Sequence, residues 1–215
     1  MGTKQVKIEA FEKYSNDYEQ WFVDNEFVYH SELAAIKYFL DNSGKNIEIG
    51  IGTGKFAEPL NIGYGIEPSP AMIKKISGNC NIPVIRSIAE HLPLKNNIFD
   101  TALLITTICF VDDASQAIAE TMRILRNSGQ IIIAFIDSKS PLGELYQKNK
   151  EKSKFYSQAK FYSTGEIVEL LVKHKFKNIR IIQTIFGDYK KIKSIQNFKD
   201  GYGEGNFIVI KGEKN

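Results

Sequence analysis

The segment Asn46 to Phe56, NIEIGIGTGKF, constrains this chain more than any other stretch. It reads as a short apolar strand carrying an acid, Glu48, and then a loop with glycine at every second position. Gly50, Gly52 and Gly54 permit the sharp turns and close backbone approach that side chains there would block. A strand that runs into such a loop and then into a helix opens a nucleotide-type site in an α/β sheet. Thirteen residues beyond Gly54, a second strand-like run, Ile62 to Ile66, ends at another acid, Glu67. A backbone cradle beside a strand-end carboxylate suits a ligand bearing a diol, because two carboxylate oxygens can accept from two hydroxyls.

The rest of the chain alternates in period. Phe11, Tyr14, Tyr18, Trp21 and Phe22 recur at three- and four-residue steps, as do Leu33, Ile36, Phe39 and Leu40. Residues 9–40 are therefore expected to be helical, ending at Asn42-Ser-Gly44. Strands are expected at Ile47–Ile49, Ile62–Ile66, Pro83–Ile85, Thr101–Thr106 and Gln130–Ile136, with helices between them. The clearest helix is Ala114 to Leu125, where Asp113 and Gln116 form a capping-box pattern and Arg123, Arg126 and Gly129 mark the end. Such alternation implies right-handed crossovers and a mostly parallel sheet. A polar, lysine-rich segment, Ser138 to Lys160, follows the carboxyl end of a strand and is placed to act as a lid. A helix at Ser163–Lys175, capped by Ser163 and Glu166, precedes two strands, Asn178–Phe186 and Asn206–Lys211. A long polar loop, Gly187 to Gly205, separates those strands.

At 215 residues and 43% hydrophobic content, the chain can bury the core of one α/β domain. No apolar run approaches the roughly 18 residues of a membrane helix. The start lacks a secretory core, and Val6 stands where a myristoylation signal needs Ser or Thr, so a cytoplasmic location is expected. Cys80 and Cys109 make neither a disulfide framework nor a metal pattern, and no metal site is expected. The charge is uneven: residues 1–138 carry 12 Lys and Arg against 17 acids, and residues 139–200 carry 14 against 6. The basic half reads either as a solvated lysine face or as a surface for RNA or an anionic partner. Lysine greatly outnumbers arginine there, which disfavours nucleic-acid recognition.

The order of these motifs resembles the class I S-adenosylmethionine-dependent methyltransferases: strand–GxGxG, strand–acid, strand–AExLP, FD-strand, capped helix, strand, lid, helix and two strands. The likeness runs from about Tyr14 to Ile210 and is nearest to the small-molecule, methyltransferase-domain branch. The phrases TTICFVDD (Thr106–Asp113) and GYGEG (Gly201–Gly205) match a small bacterial subgroup. The resemblance implies a Rossmann-like, doubly wound sheet of seven strands, the last antiparallel, with helices on both faces. It implies one methyltransferase domain over 1–215, with a helical cap at 1–42 and a lid at 138–162.

The same resemblance implies the site. The loop backbone at Gly50, Gly52 and Gly54 would cradle the amino-acid end of S-adenosylmethionine, Glu48 would shape that loop or reach the ammonium through water, and Glu67 would hold the ribose hydroxyls. Pro68 and Met72 would lie against the adenine, with Ala89 and Glu90 at its edge. Thr106 and Thr107 would flank the methionine portion, and Tyr18 and Trp21 would close over it. Two departures stand out: Ile88 replaces an aspartate that often precedes the Ala-Glu pair, and Cys109 replaces a frequent histidine. A nicotinamide fingerprint would need glycine at the sixth position, where this chain has Lys55.

No catalytic residue is assigned from the sequence. Asp112 and His91 are candidates as substrate contact or acid–base group, while Asp113 is more simply a helix cap. Cys109 lacks the preceding proline of cysteine-nucleophile enzymes and reads as packing. The expected acceptor is a small molecule with an O, N or S nucleophile. RNA methylation by the basic half, or cofactor binding without catalysis, are the alternatives. A monomer or homodimer is expected.

Overall fold

The computed structural model describes residues 8–41, 43–76 and 81–215 in full, and the backbone of 77–79. Val6, Asn42 and Cys80 lie outside the described residues. Three helices open the chain: α1 (Glu9–Lys13), α2 (Ser15–Asp24) and α3 (Glu26–Phe39). The expected single helical stretch is thus broken at Tyr14 and Asn25, both of which depart from helical backbone angles. Then follow β1 (Asn46–Ile49), β2 (Tyr64–Ile66), α4 (Pro70–Asn79), β3 (Val84–Ile85) and β4 (Phe99–Ile105). The second half holds α5 (Ala114–Ile124), β5 (Leu125–Ile136), α6 (Pro141–Lys148), α7 (Thr164–Lys173), β6 (Lys177–Phe186), β7 (Lys199–Asp200) and β8 (Gly205–Glu213).

The strands form one mixed sheet in the order β3-β2-β1-β4-β5-β8-β6-β7. The first five in that order run parallel, and β8 pairs antiparallel with both β5 and β6. The expected seven strands are eight. The extra one is the two-residue edge strand β7, which pairs with β6 inside the segment read as a loop. Both of its residues are exposed and charged, so it lacks the apolar alternation by which a strand is read.

Alternation along the central strands sends side chains to opposite faces. Ala102, Leu104, Ile131 and Ile133 pack with Ala117 and Ile118 of α5 and Ile167 and Leu171 of α7. Leu103, Ile105, Ile132 and Ala134 pack instead with Ala35, Ile36 and Phe39 of α3 and Ile76 of α4. Helices therefore cover both faces, and the site is left to the carboxyl ends of the parallel strands.

Local signals explain several junctions. Asp113 caps α5 by accepting from the Gln116 N–H at 3.0 Å, but Gln116 does not return the bond. Its side-chain amide donates to the Glu90 carbonyl, so only half of the expected capping box forms. The Ser163–Glu166 box ahead of α7 is complete. The helix expected after the glycine loop is replaced by turns over residues 51–61, with bonds such as Glu58 N–H to Gly54 C=O. The GYGEG phrase is a turn into β8, held by the Gln183 side chain, which accepts from the N–H groups of Glu204 and Gly205.

Candidate active site

Five strand ends converge on one cavity of about 520 Å³. Gly50 and Gly52 follow β1, Glu67 and Pro68 follow β2, and Ser87 to Glu90 follow β3. Thr106 and Thr107 follow β4, and Ile136 ends β5. The opposite wall comes from α2, α3 and the segment after β5, through Tyr18, Trp21, Glu32, Leu145, Tyr146 and Tyr156.

The glycine loop is shaped by backbone bonds. The N–H groups of Gly50 and Ile51 both donate to the Ile66 carbonyl, at 2.7 and 2.9 Å. Gly50, Gly52 and Gly54 all take positive φ, at 76°, 59° and 84°. A Cβ on Gly50 would fall 2.4 Å from Thr107 Oγ1, and one on Gly52 would fall 3.1 Å from the Tyr18 hydroxyl. From the helical side, the Tyr29 hydroxyl donates to the Lys55 carbonyl, and Lys55 pairs with Glu19 at 2.9 Å. Thr106 itself sits at φ 51°, a strained value for a β-branched residue, at the point where β4 meets the cavity.

Two carboxylates flank this loop, and a third, Glu90, holds the turn ahead of α5. Glu67 accepts from the Gly52 N–H at 2.8 Å and from the Ser69 N–H at 2.9 Å. Burial nonetheless raises its pKa to about 7, the two bonds opposing and the Glu12 charge assisting. Glu48 is raised well above the usual carboxylate range by burial, with Glu67 adding repulsion. Its Oε2 is buried without a hydrogen-bond partner among the described residues. Tyr18 is half-buried, its open part facing the cavity, and enclosure followed by the charges of Glu48 and Glu67 holds its hydroxyl protonated. Glu90 uses Oε1 to accept from the N–H groups of Asp112 and Asp113, at 2.7 and 3.2 Å, and so fixes the turn ahead of α5.

The positions expected from sequence fall mostly into this cavity. Tyr18, Trp21, Gly50, Gly52, Glu67, Pro68, Met72, Ala89, Glu90, Thr106, Thr107 and Asp112 all line it. Glu48 and Gly54 lie behind the lining, Glu48 as a buried acid under the loop and Gly54 as a turn residue. His91 is exposed and does not line the cavity. Cys109 is a buried thiol whose Sγ lies 3.3 Å from the Thr106 carbonyl. The sequence did not single out Glu32, although it stands on the apolar face of α3 with Val28, Ala35, Ile36 and Phe39. A charged residue at that spacing is the signal that would have marked it.

A glycine cradle and a strand-end acid at the carboxyl edge of a parallel sheet define a nucleoside-cofactor enzyme of the α/β type. Residues 47–133 match the family model described as a methyltransferase domain. A crystal structure of an S-adenosylmethionine-dependent methyltransferase from Thermotoga maritima, described as a possible histamine N-methyltransferase, superposes with a TM-score of 0.94. The two are 44% identical, over 97% of this chain and all of that one. An uncharacterized protein of Methanocaldococcus jannaschii is 42% identical over 207 residues, covering 96% of this chain and 100% of that protein. A malonyl-[acyl-carrier protein] O-methyltransferase of Buchnera aphidicola is 25% identical over 207 residues, 93% of this chain and 81% of that one. The chain belongs to the class I S-adenosylmethionine-dependent methyltransferases, and its cofactor is S-adenosylmethionine. The residues present fit that group: Glu48 offers an orphaned buried oxygen beneath the loop, and a Cβ on Gly52 would crowd the Tyr18 hydroxyl across the cavity at 3.1 Å. Among the described residues no helix is long and apolar enough to cross a membrane.

Proposed function

We propose that the protein methylates a small molecule at an O, N or S nucleophile, leaving S-adenosylhomocysteine. The carrying observation is that the glycine loop, Glu67 and the aromatic wall line one continuous cavity of about 520 Å³. Cofactor and acceptor can therefore meet in a space bounded by side chains. The bound S-adenosylmethionine supplies a methyl group already activated on a sulfonium. The chain's own task is to hold, align and dehydrate, and orientation of this kind is worth about 7–11 kcal/mol.

In this reading Glu67 accepts from the ribose hydroxyls with the lone pairs left by Gly52 and Ser69. Glu48 and the backbone of the glycine loop serve the amino-acid end, with the Gly52 N–H held by Glu67 and the Gly54 N–H by the Ile51 carbonyl. Pro68, Met72 and Ala89 bound the adenine, while the Glu90 carboxylate keeps the neighbouring turn in place. Thr106 and Thr107 set the floor beside the reacting carbon, and Tyr18 and Trp21 close over it. Asp112 is the remaining acid–base candidate on the lining, whereas the exposed His91 is badly placed for that role.

In this reading the segment 138–162 acts as the lid and the helices within residues 8–41 as the cap, together forming the acceptor wall of a single domain. Phe155 of the lid meets Phe11 of the cap at 5.4 Å between ring centroids, and Lys154 pairs with Asp17. That roof favours a small acceptor over RNA, since a polynucleotide would have to lift it. The cavity's acceptor half also disfavours a non-catalytic binder, which would have it filled. The relatives described above as N- and O-methyltransferases leave the nucleophile open. Titration calorimetry with S-adenosylmethionine and S-adenosylhomocysteine, with NAD as control, tests the cofactor. Homocysteine-coupled turnover with amine, hydroxyl and thiol libraries tests the acceptor. Turnover with RNA and none with small molecules would replace this reading.

A further inference from the structure

Glu32 is an outlying charge on the cavity lining. It sits on the buried face of α3 at 6% exposure and lines the cavity on the wall opposite the strand ends. Among the described residues it has neither a hydrogen bond nor an ion pair, unlike Glu67, Glu90 and Asp17, which also line the cavity. It shares the cavity lining with Tyr18, Trp21, Tyr146 and Tyr156, and its charge adds to the upward shift of the Tyr18, Tyr146 and Tyr156 hydroxyls. Burial alone drives its pKa up to about 8, with no cation contributing.

A buried carboxylate without a partner is costly, and such groups are normally paired or ligate something. The chain has 28 lysines and arginines, yet Lys152, which is exposed, is the sole cation on the cavity lining among the described residues. The basic surplus of residues 139–200 is therefore turned away from this space. Aromatic faces beside a carboxylate attract a desolvated cation, through the ring quadrupoles and through direct charge pairing.

We propose that the acceptor half of the cavity recognises an organic ammonium group, with Glu32 as its counter-charge and the faces of Tyr18, Trp21, Tyr146 and Tyr156 around it. The inference rests on the reading of this cavity as the acceptor site of a methyltransferase. It narrows the substrate class to small amines and makes Glu32 the residue that selects them. A neutral alcohol of the same shape would leave the carboxylate uncompensated and bind less tightly.

The test is titration calorimetry on protein saturated with S-adenosylhomocysteine. The probes are matched pairs: 2-phenylethylamine with 2-phenylethanol, tryptamine with tryptophol, and 1,4-diaminobutane with 1,4-butanediol. At least one amine is expected to bind tenfold or more tightly than its alcohol, and Glu32→Gln is expected to erase that preference while S-adenosylhomocysteine affinity stays within threefold. No amine outbinding its alcohol, or a preference that survives in Glu32→Gln, overturns the proposal. Failure of folded wild-type protein to bind S-adenosylhomocysteine is a separate result, and it would remove the methyltransferase reading itself.

Discussion

Glu67 Oε2 accepts a hydrogen bond from the Gly52 N–H at 2.8 Å, tying the end of β2 to the loop that leaves β1. The same carboxylate accepts from Ser69 through its other oxygen, so the group proposed to accept from the ribose is oriented before any ligand arrives. Replacing Glu67 by alanine is expected to weaken S-adenosylmethionine binding by roughly 1–3 kcal/mol, as charge-assisted bonds are lost. Calorimetry giving wild-type affinity for this variant would sink the ribose assignment.

The pH dependence follows from the same residue. Its pKa is raised to about 7, mainly by burial, so the unliganded protein carries a protonated Glu67 below that value. The ionised form is the better acceptor, so affinity is full above pH 7 and declines as pH falls through it, by at most about tenfold per unit. Calorimetry from pH 5.5 to 8.5 should show this slope in wild type and lose it in Glu67→Gln. Glu48, Glu12 and Tyr18 face the same carboxylate, and a slope that persists in the variant would assign the titration to Glu48 instead.

Gly50 is constrained twice, by φ of 76° and by a virtual Cβ only 2.4 Å from Thr107 Oγ1. Gly50→Ala is expected to lower stability by about 1–3 kcal/mol, read from the denaturant midpoint, and to abolish measurable cofactor binding. Adding Thr107→Ala removes Oγ1 and Cγ2 but leaves the backbone strain, so it should restore part of the stability and not all of it. Full restoration would show that φ contributes nothing.

Much of this was legible in the sequence because it rests on local rules. The glycine spacing, the Glu67 strand end, the Ser163–Glu166 box and the period of α5 each need only neighbours a few residues away. What was hidden depends on tertiary placement. β7 exists because Lys199 and Asp200 find the open edge of β6, and neither residue favours a strand. The turns over 51–61 replace a helix because Ile62 leads directly into β2 and leaves little chain between. Gln116 turns to Glu90 because the loop after β3 passes close to the start of α5, which no local pattern announces. Glu32 was overlooked because the stripe read through Leu33, Ile36, Phe39 and Leu40 is centred one position off the buried face, Leu33 and Leu40 being half-buried. The buried face shares Ile36 and Phe39 with that stripe and adds Val28, Ser31, Glu32 and Ala35.

Burial of Glu32 has a stability signature independent of any ligand. Its folded pKa of about 8 exceeds the ordinary 4.5, so between those values the folded protein keeps a proton that the unfolded chain has released. The residue's contribution to stability therefore falls as pH rises from 4.5 to 8 and is lowest above 8. Glu32→Gln should match wild type near pH 4.5 and exceed it by roughly 2–4 kcal/mol at pH 9. The readout is the difference between the two proteins, which cancels the titrations of Glu48 and Glu67. Equal stability at both pH values would mean that the carboxylate is already compensated.

Phe155 joins the segment proposed as a lid to the helices proposed as its cap. Its ring meets Phe11 at 5.4 Å, and Tyr14 and Tyr18 each at 6.3 Å. The adjacent Lys154 pairs with Asp17 and lies 5.1 Å over the Tyr14 ring, but it is exposed. Exposed ion pairs contribute about 1 kcal/mol at most, whereas each aromatic contact adds about 0.5–1.5 kcal/mol beyond its area. Closure should therefore depend on the ring and hardly on the charge. Phe155→Ala is expected to raise amide exchange across residues 141–158 by roughly tenfold or more, with the sheet unaffected. Lys154→Ala should change it by less than about fivefold. The same order should appear in the acceptor KM. A larger effect from Lys154→Ala than from Phe155→Ala would make the lid an electrostatic latch, and its exchange would then rise with salt.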